Sequence, residues 1–414
     1  MIFIIMIYVS ADHAGVHKSK IPRGVKKMMT KLPDSEFQER IQRIQKKLVE
    51  HDYDAYLVHC NEADQANVRY LSDHWPIFET AGVLVPKEGD PILLIGPEAE
   101  PFAVDQSRIK KIRKMVEYRE SAEPDYPDIP VSSFKEIFDE VSGVRGIERL
   151  ALGDYAILSM PVYNGVKDAL GGKGEIIRAE RIISDMRTVK SENELVVIQE
   201  AHRISELALE DVLNEMKPGM TEKQALGLVY GSLYLHGAEA EGFPNYVFGG
   251  RKTRNAIARA TYDKIEKGKL IQLCIGARYG GYSSSVGRPV IFGKMSAEMK
   301  RHVQFGLDVH IKTYEWISEG VVAKDVAVKY MEYFKQDGYG DCFLYGPCHG
   351  TGIIEVEKPW METSSDYRLK ENMTFMADTF FSCDDYGFRW EDGFKVTKDG
   401  CEPFSDARSE IIEL

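Results

Sequence analysis

Paired cysteines, a surplus of positive charge and long apolar runs are all missing from this 414-residue chain. Its six cysteines, Cys60, Cys274, Cys342, Cys348, Cys383 and Cys401, show no paired spacing. That excludes a disulfide framework and predicts a reducing, cytoplasmic setting. With 53 Lys+Arg against 65 Asp+Glu the net charge is −12, so a phosphate backbone would meet a repelling field, and nucleic acid is excluded as a partner. The apolar start Met1–Tyr8 is far short of the roughly 20 residues that span a bilayer. It also lacks the basic flank and small-residue cleavage site of a signal peptide, so no membrane association is expected. What is present is an ordinary globular mixture, 43% hydrophobic, 10% aromatic and 29% charged. A chain of this length can bury its cores without disulfide or metal staples.

The pattern along the chain divides it into an N-terminal arm over 1–34, a small α/β domain over 35–180 and a larger domain over 181–414. Lys18, Lys20, Arg23, Lys26 and Lys27 make the arm basic. Ser35-Glu-Phe-Gln38 has capping-box spacing, and Phe37, Ile41, Ile44 and Leu48 follow as one helical stripe. Short apolar runs at 54–60, 82–86 and 91–95 read as strands, and helix and strand patterns alternate up to about 178. In the larger domain, Ser191-Glu-Asn-Glu194 and Thr221-Glu-Lys-Gln224 are capping boxes for two helices. Residues 244–294 are rich in glycine, tyrosine and β-branched residues and read as sheet. Two more helices, over 296–319 and 323–337, precede strands at 373–381 and 386–397. The fold class is therefore α/β (α+β), with an ααββ pseudo-repeat in the second domain.

Several blocks then resemble one family. Arg187-Thr-Val-Lys-Ser-Glu-Asn-Glu194, Met216-Lys-Pro-Gly-Met-Thr-Glu222, Gly268–Ala277, Gly281–Arg288, His349-Gly-Thr-Gly352, Leu369–Phe375 and Gly387-Phe-Arg-Trp-Glu-Asp392 are similar to the pita-bread domain. That domain is shared by methionine aminopeptidase, aminopeptidase P, prolidase and creatinase. Arg40, Asp54-Ala-Tyr-Leu-Val58 and Val68-Arg-Tyr-Leu71 resemble the N-terminal domain of the creatinase/prolidase/aminopeptidase P branch. The resemblance implies a homodimer, because in this branch one subunit's N-terminal domain reaches over its partner's site.

The resemblance also implies where a site would lie, and how it departs from the peptidases. Their two divalent ions are held by Asp, Asp, His, Glu and Glu. Those positions fall here on Cys274, Ser285, His349, Asp378 and Glu391. Two further imidazoles of the peptidases fall on Ile257 and Val356. Two hard cations 3.5–4 Å apart need bridging carboxylates, and a serine hydroxyl with a soft thiol does not supply them. No dinuclear site and no cofactor are expected, the alternative being a single divalent ion on His349, Asp378 and Glu391. Creatinase resembles this chain in having a cysteine at the place of Cys274 and no aspartate at that of Ser285. Its catalytic histidine and a nearby glutamate, however, fall on Ile257 and Gly287.

Residue chemistry gives each candidate a role. His349, between glycine-rich segments, is a general acid or base. Asp378 sits in the apolar run Phe375–Phe381, where a carboxylate needs a partner. With Glu391 it is expected to orient the reaction, and Asp392 to face solvent. Cys274 is a buried thiol or an optional nucleophile. Tyr282, Arg288, Glu357, Trp360 and Arg389 are the expected substrate-side residues, and either Glu355 or Glu357 stands in for the lost second imidazole. The resulting expectation is a creatinase-like hydrolase or lyase acting on a C–N or similar bond of a small polar molecule. A single-metal peptidase-like hydrolase and a non-catalytic binding protein on the same scaffold are the alternatives.

Overall fold

The computed structural model describes residues 31–405 and 408–414; the arm expected over 1–34 lies almost entirely outside them. Residues Lys31–Leu414 form one compact unit built around two sheets, each with its own helices. The first helix, α1 (Asp34–His51), buries Phe37, Ile41, Ile44 and Leu48, the stripe read from the sequence. It starts after an extended Pro33 with no side-chain cap, so the box expected at Ser35 is not formed. The proline already sets the turn into the helix, and Asp34 and Glu36 supply negative charge in the first turn.

The first sheet contains β1 (Ala55–Cys60), β2 (Ala81–Pro86), β3 (Ile92–Ile95), β4 (Ile112–Lys114), β5 (Arg149–Leu152) and β6 (Glu175–Arg178), in the order β4-β3-β2-β1-β5-β6. Helices α2 (Ala66–Ser72), α3 (Glu100–Gln106), α4 (Phe134–Ser142) and α5 (Met160–Leu170) connect them. Strand β1 is buried along its whole length. Tyr56 and Val58 pack with Phe37 and Ile41 on one face, while Leu57 packs with Phe134 and Val166 on the other. A central strand covered on both faces requires this continuous apolar run.

Helix α6 (Arg181–Thr188) leads into α7 (Glu192–Glu215) and α8 (Glu222–Leu235). Both expected capping boxes, at Ser191 and Thr221, are present. Then come β7 (Ala240–Glu241), β8 (Tyr246–Gly249), β9 (Leu270–Ile275), β10 (Ala277–Tyr279), β11 (Tyr282–Ser283) and β12 (Val286–Ile291). After α9 (Ala297–Glu315) and α10 (Ala323–Gln336) follow β13 (Cys348–Gly350), β14 (Glu357–Met361), β15 (Thr374–Ser382), β16 (Gly387–Val396), β17 (Cys401–Pro403) and β18 (Ile412–Glu413). The large sheet runs β14-β13-β15-β16-β12-β9-β8, with β17 on β16 and β18 on β12. Two helices followed by sheet, twice over, is the pseudo-repeat expected from the pattern. Phe388 and Trp390 pack down onto Val303 and Phe305 of α9, which leaves the other face of β16 for the residues described next.

A buried network joins the two lobes. Arg40 of α1 pairs with Glu36 at 2.7 Å and Glu194 at 3.2 Å, and Tyr282 donates to Glu194 at 2.6 Å.

Candidate active site

Strand pairing sets one transverse row of residues across the large sheet. Asp378 of β15 stands opposite Glu391 of β16, Glu391 opposite Gly287 of β12, Gly287 opposite Cys274 of β9, and Cys274 opposite Tyr246 of β8. Directly paired residues share a face, so this row is a single surface. Gly287 has no side chain because a Cβ there would lie 2.8 Å from the Glu391 Cβ.

His349 of β13 and Glu355, from the strap between β13 and β14, converge on this surface. The His349 Nε2 lies 3.6 Å from Glu355 Oε1 and 3.7 Å from Glu391 Oε1. Its Nδ1 lies 3.1 Å from the carbonyl oxygen of Gly350, which makes Nδ1 the donor and directs Nε2 at the carboxylates. The Trp360 ring lies 5.2 Å from that of His349. Ser285 donates to Glu391 Oε2 at 2.8 Å. All three members of the trio are buried. Burial alone would disfavour charge on His349, but Glu355 and Glu391 outweigh it and raise the imidazole to about 9. Burial, with Glu391 beside it, pushes Glu355 up to about 8. Burial also opposes the charge on Glu391, yet His349 and Arg389 bring it down to about 2.

Asp378 is turned away from this trio. Arg389, two residues before Glu391 and on the same face, reaches diagonally back so that its Nε lies 2.8 Å from Asp378 Oδ1. Arg389 also donates to the Tyr345 hydroxyl and to the carbonyl of Ala256, and Tyr345 stacks on Phe380. The expected single-ion set of His349, Asp378 and Glu391 is therefore replaced. Among the described residues, the group whose ligand atoms all lie within 4.8 Å of one another is His349, Glu355 and Glu391. The reason is physical: a one-carbon carboxylate arm beside a permanent guanidinium is held by that cation.

Other expectations are corrected in the same way. Cys274 is fully buried, and burial pushes its thiol up to about 12, which leaves no thiolate at neutral pH and no basis for a nucleophile. Arg288 is not at the substrate face; it donates to Asp392 Oδ1 at 2.7 Å and to the Glu391 carbonyl at 3.1 Å. Asp392 is 3% exposed rather than solvated, and His310 Nε2 lies 3.1 Å from its Oδ2. Tyr282 belongs to the lobe junction. Glu357 pairs with Arg187 at 2.5 Å, and Arg187 donates to Asn67 of the first lobe at 2.7 Å. Ile257 is 82% exposed, and Val356 faces a separate cavity of about 260 Å³ shared with Asn67 and Asp154. Of the two candidates for the place of the second imidazole, Glu355 faces His349 and Glu357 does not; Tyr345 is a site residue that sequence reasoning did not single out.

These contacts decide which metal set the residues fit. Ser285 brings no charge, Cys274 stays a thiol and Asp378 is taken by Arg389, so two ions do not fit. One divalent ion does fit, because the buried Oε1 of Glu355 has no hydrogen-bond partner and faces His349 Nε2.

Comparison with known proteins agrees with this architecture. Residues 197–398 match the family model of metallopeptidase family M24, and residues 40–189 match that of the creatinase/prolidase N-terminal domain. The chain is 25% identical over 377 residues to an Xaa-Pro dipeptidase of Pyrococcus furiosus, covering 90% of this chain and 99% of that one. Its fold is similar to the crystal structure of an X-Pro aminopeptidase from Thermotoga maritima, with a TM-score of 0.79, 23% identity and coverage of 90% and 99%. The prolidase of Pyrococcus horikoshii gives a TM-score of 0.78, 23% identity and coverage of 90% and 100%. No helix among the described residues is long and apolar enough to cross a membrane. With both lobes matched in order and the same two-lobed fold, the chain belongs to the pita-bread proteins of metallopeptidase family M24 that carry a creatinase/prolidase N-terminal domain.

Proposed function

We propose that this protein is a hydrolase that cleaves a C–N bond of a small polar molecule in a pocket without a two-ion cluster. The observation that carries this reading is the Arg389–Asp378 ion pair. A carboxylate at a family metal position is neutralised by a built-in cation, which removes the negative charge a second ion needs. The relative named as an Xaa-Pro dipeptidase supports hydrolysis at an amide-type nitrogen. His349, Glu355 and Glu391 are within reach of one water or one leaving nitrogen and can take and return its proton. Ser285 fixes Glu391, Arg389 with Asp378 fixes the adjoining wall, and Trp360 and Tyr345 give that wall an aromatic surface. With a divalent ion bound, His349, Glu355 and Glu391 would hold it, and it would supply Lewis-acid polarisation of the scissile group.

The protein acts in the cytoplasm as a homodimer in this proposal; a monomer in sedimentation at micromolar concentration would contradict the dimer. The function is tested by thermal-shift screening of guanidino, betaine-like and N-acyl compounds, followed by product analysis of the stabilising ones. His349→Ala is expected to lower turnover by about 10²-fold or more. Undiminished turnover in that variant overturns the reading.

A further inference from the structure

We propose that Glu355 has taken over a ligand place, so that His349, Glu355 and Glu391 hold one divalent first-row cation while Asp378 stays outside its shell. The inference rests on the pocket being the reactive centre.

Distance is the first argument. Separations of 3.6 and 3.7 Å between His349 Nε2 and the two carboxylate oxygens are too long for hydrogen bonds. They are close to the edge of a tetrahedral site, which is about 3.4 Å for metal–ligand bonds near 2.1 Å. The second argument is the orphaned atom. Glu355 is buried, and its Oε1 has no hydrogen-bond partner, the His349 ring standing off at 3.6 Å; a cation between the two would give that oxygen a direct partner.

Orientation is the third argument. With Nδ1–H of His349 directed at the Gly350 carbonyl, Nε2 is presented to the same point. A ligating imidazole is held in this way, its far nitrogen donating to an acceptor that fixes the tautomer. Ser285 on Glu391 Oε2 plays the corresponding part for the carboxylate and leaves Oε1 facing the others. Charge is the fourth. An ion entering the trio displaces the protons of His349 and Glu355, and the two carboxylates Glu355 and Glu391 then balance its two charges, whereas Asp378 is already balanced by Arg389. One nitrogen and two oxygens form a borderline-to-hard donor set, suited to Zn²⁺, Fe²⁺ or Mn²⁺ rather than to a soft ion.

The test uses the full-length protein stripped by chelator and titrated separately with Zn²⁺ and Co²⁺. Calorimetry and elemental analysis give stoichiometry and affinity, and the visible absorption of Co²⁺ reports on its ligands. One equivalent and a Co²⁺ band are expected for the unaltered chain. Glu355→Gln is expected to weaken binding by about 10²-fold and to change the band. Asp378→Asn, which keeps the Arg389 cation in place, is expected to bind one equivalent with the band of the unaltered chain. Absence of binding, two equivalents, Glu355→Gln binding unchanged, or a band altered in Asp378→Asn each overturns the inference. Should Asp378→Asn fail to fold, the unaltered chain and Glu355→Gln decide it. Turnover by ion-free protein overturns this inference and leaves the hydrolase proposal standing, whereas one bound ion without turnover of any compound does the reverse.

Discussion

Glu391 and Asp392 are consecutive on β16 and serve opposite faces of the sheet. Glu391 approaches His349, while Asp392 is held beneath by Arg288 and His310. Arg288 spans the two, donating to the carboxylate of Asp392 and the carbonyl of Glu391. The strand that presents Glu391 is thus pinned from behind by a charge pair buried on both sides.

Breaking that pin has a predictable cost. Arg288→Met leaves Asp392 buried with the His310 ring at 3.1 Å beside it and its guanidinium partner gone, and we expect a loss of about 3–5 kcal/mol. Urea unfolding measures it. A loss below about 1 kcal/mol would show that the pair contributes little to the fold.

Proline-directed peptidase activity is expected to be absent, even with added Mn²⁺ or Co²⁺. Ser285 and Cys274 withdraw two anionic ligands, Asp378 is held by Arg389, and neither Ile257 nor Val356 offers an imidazole. Losses within one site are not independent, so they are not multiplied. Cleavage of an Xaa-Pro dipeptide at about 1 s⁻¹, an ordinary enzyme rate, would contradict this.

Acid should destabilise the fold through two buried imidazoles outside the site. His74 and His202 are buried with no hydrogen bond to either ring nitrogen, and burial lowers both to about 4. Each is neutral when folded and gains a proton on unfolding once the pH falls below about 6.5. Stability is therefore full above that value and is lost as the pH falls towards 4. The loss is about 2 kcal/mol per imidazole between pH 7 and pH 5. Denaturant midpoints at the two pH values should converge in His202→Asn relative to the unaltered chain.

The strap that carries Glu355 is expected to depend on Arg187. Its partner Glu357 is buried and pairs at 2.5 Å. A double-mutant cycle of Arg187→Met and Glu357→Gln should give a coupling of about 1–3 kcal/mol in unfolding. A coupling near zero would mean that the strap is held by its backbone bonds alone.

Much of this was legible in the residues themselves. The apolar stripe of α1 and both capping boxes of the second lobe stand in the sequence with the spacing the helices need. His349 could be singled out because glycines flank it. Asp392 could have been placed as well: Phe388, Trp390, Asp392 and Phe394 alternate along one strand, so the acid had to share the apolar face and find a cation there. Glu355 was harder. It lies in a strap that follows an irregularity between His349 and Gly350, where no period tells which side chain turns inward. Tyr282 and Arg288 were misassigned, and Asp378 was misplaced in the single-ion set though rightly expected to need a partner, for a different reason. Their partners lie on other strands or in the other lobe, and pattern along a chain carries no information about such pairing.

The lobe junction bears on how such chains can recombine. Arg40 of the first lobe answers Glu194 and Tyr282 of the second, and Asn67 answers Arg187, which in turn holds the strap through Glu357. A chimera that joined this second lobe to a foreign first lobe at residue 180 would keep its sheet and its trio. It would lose the cation facing Glu194 and the amide facing Arg187 unless the donor carried the same residues. The two lobes are therefore matched to each other residue by residue at this seam, and it is the place where a graft should fail first.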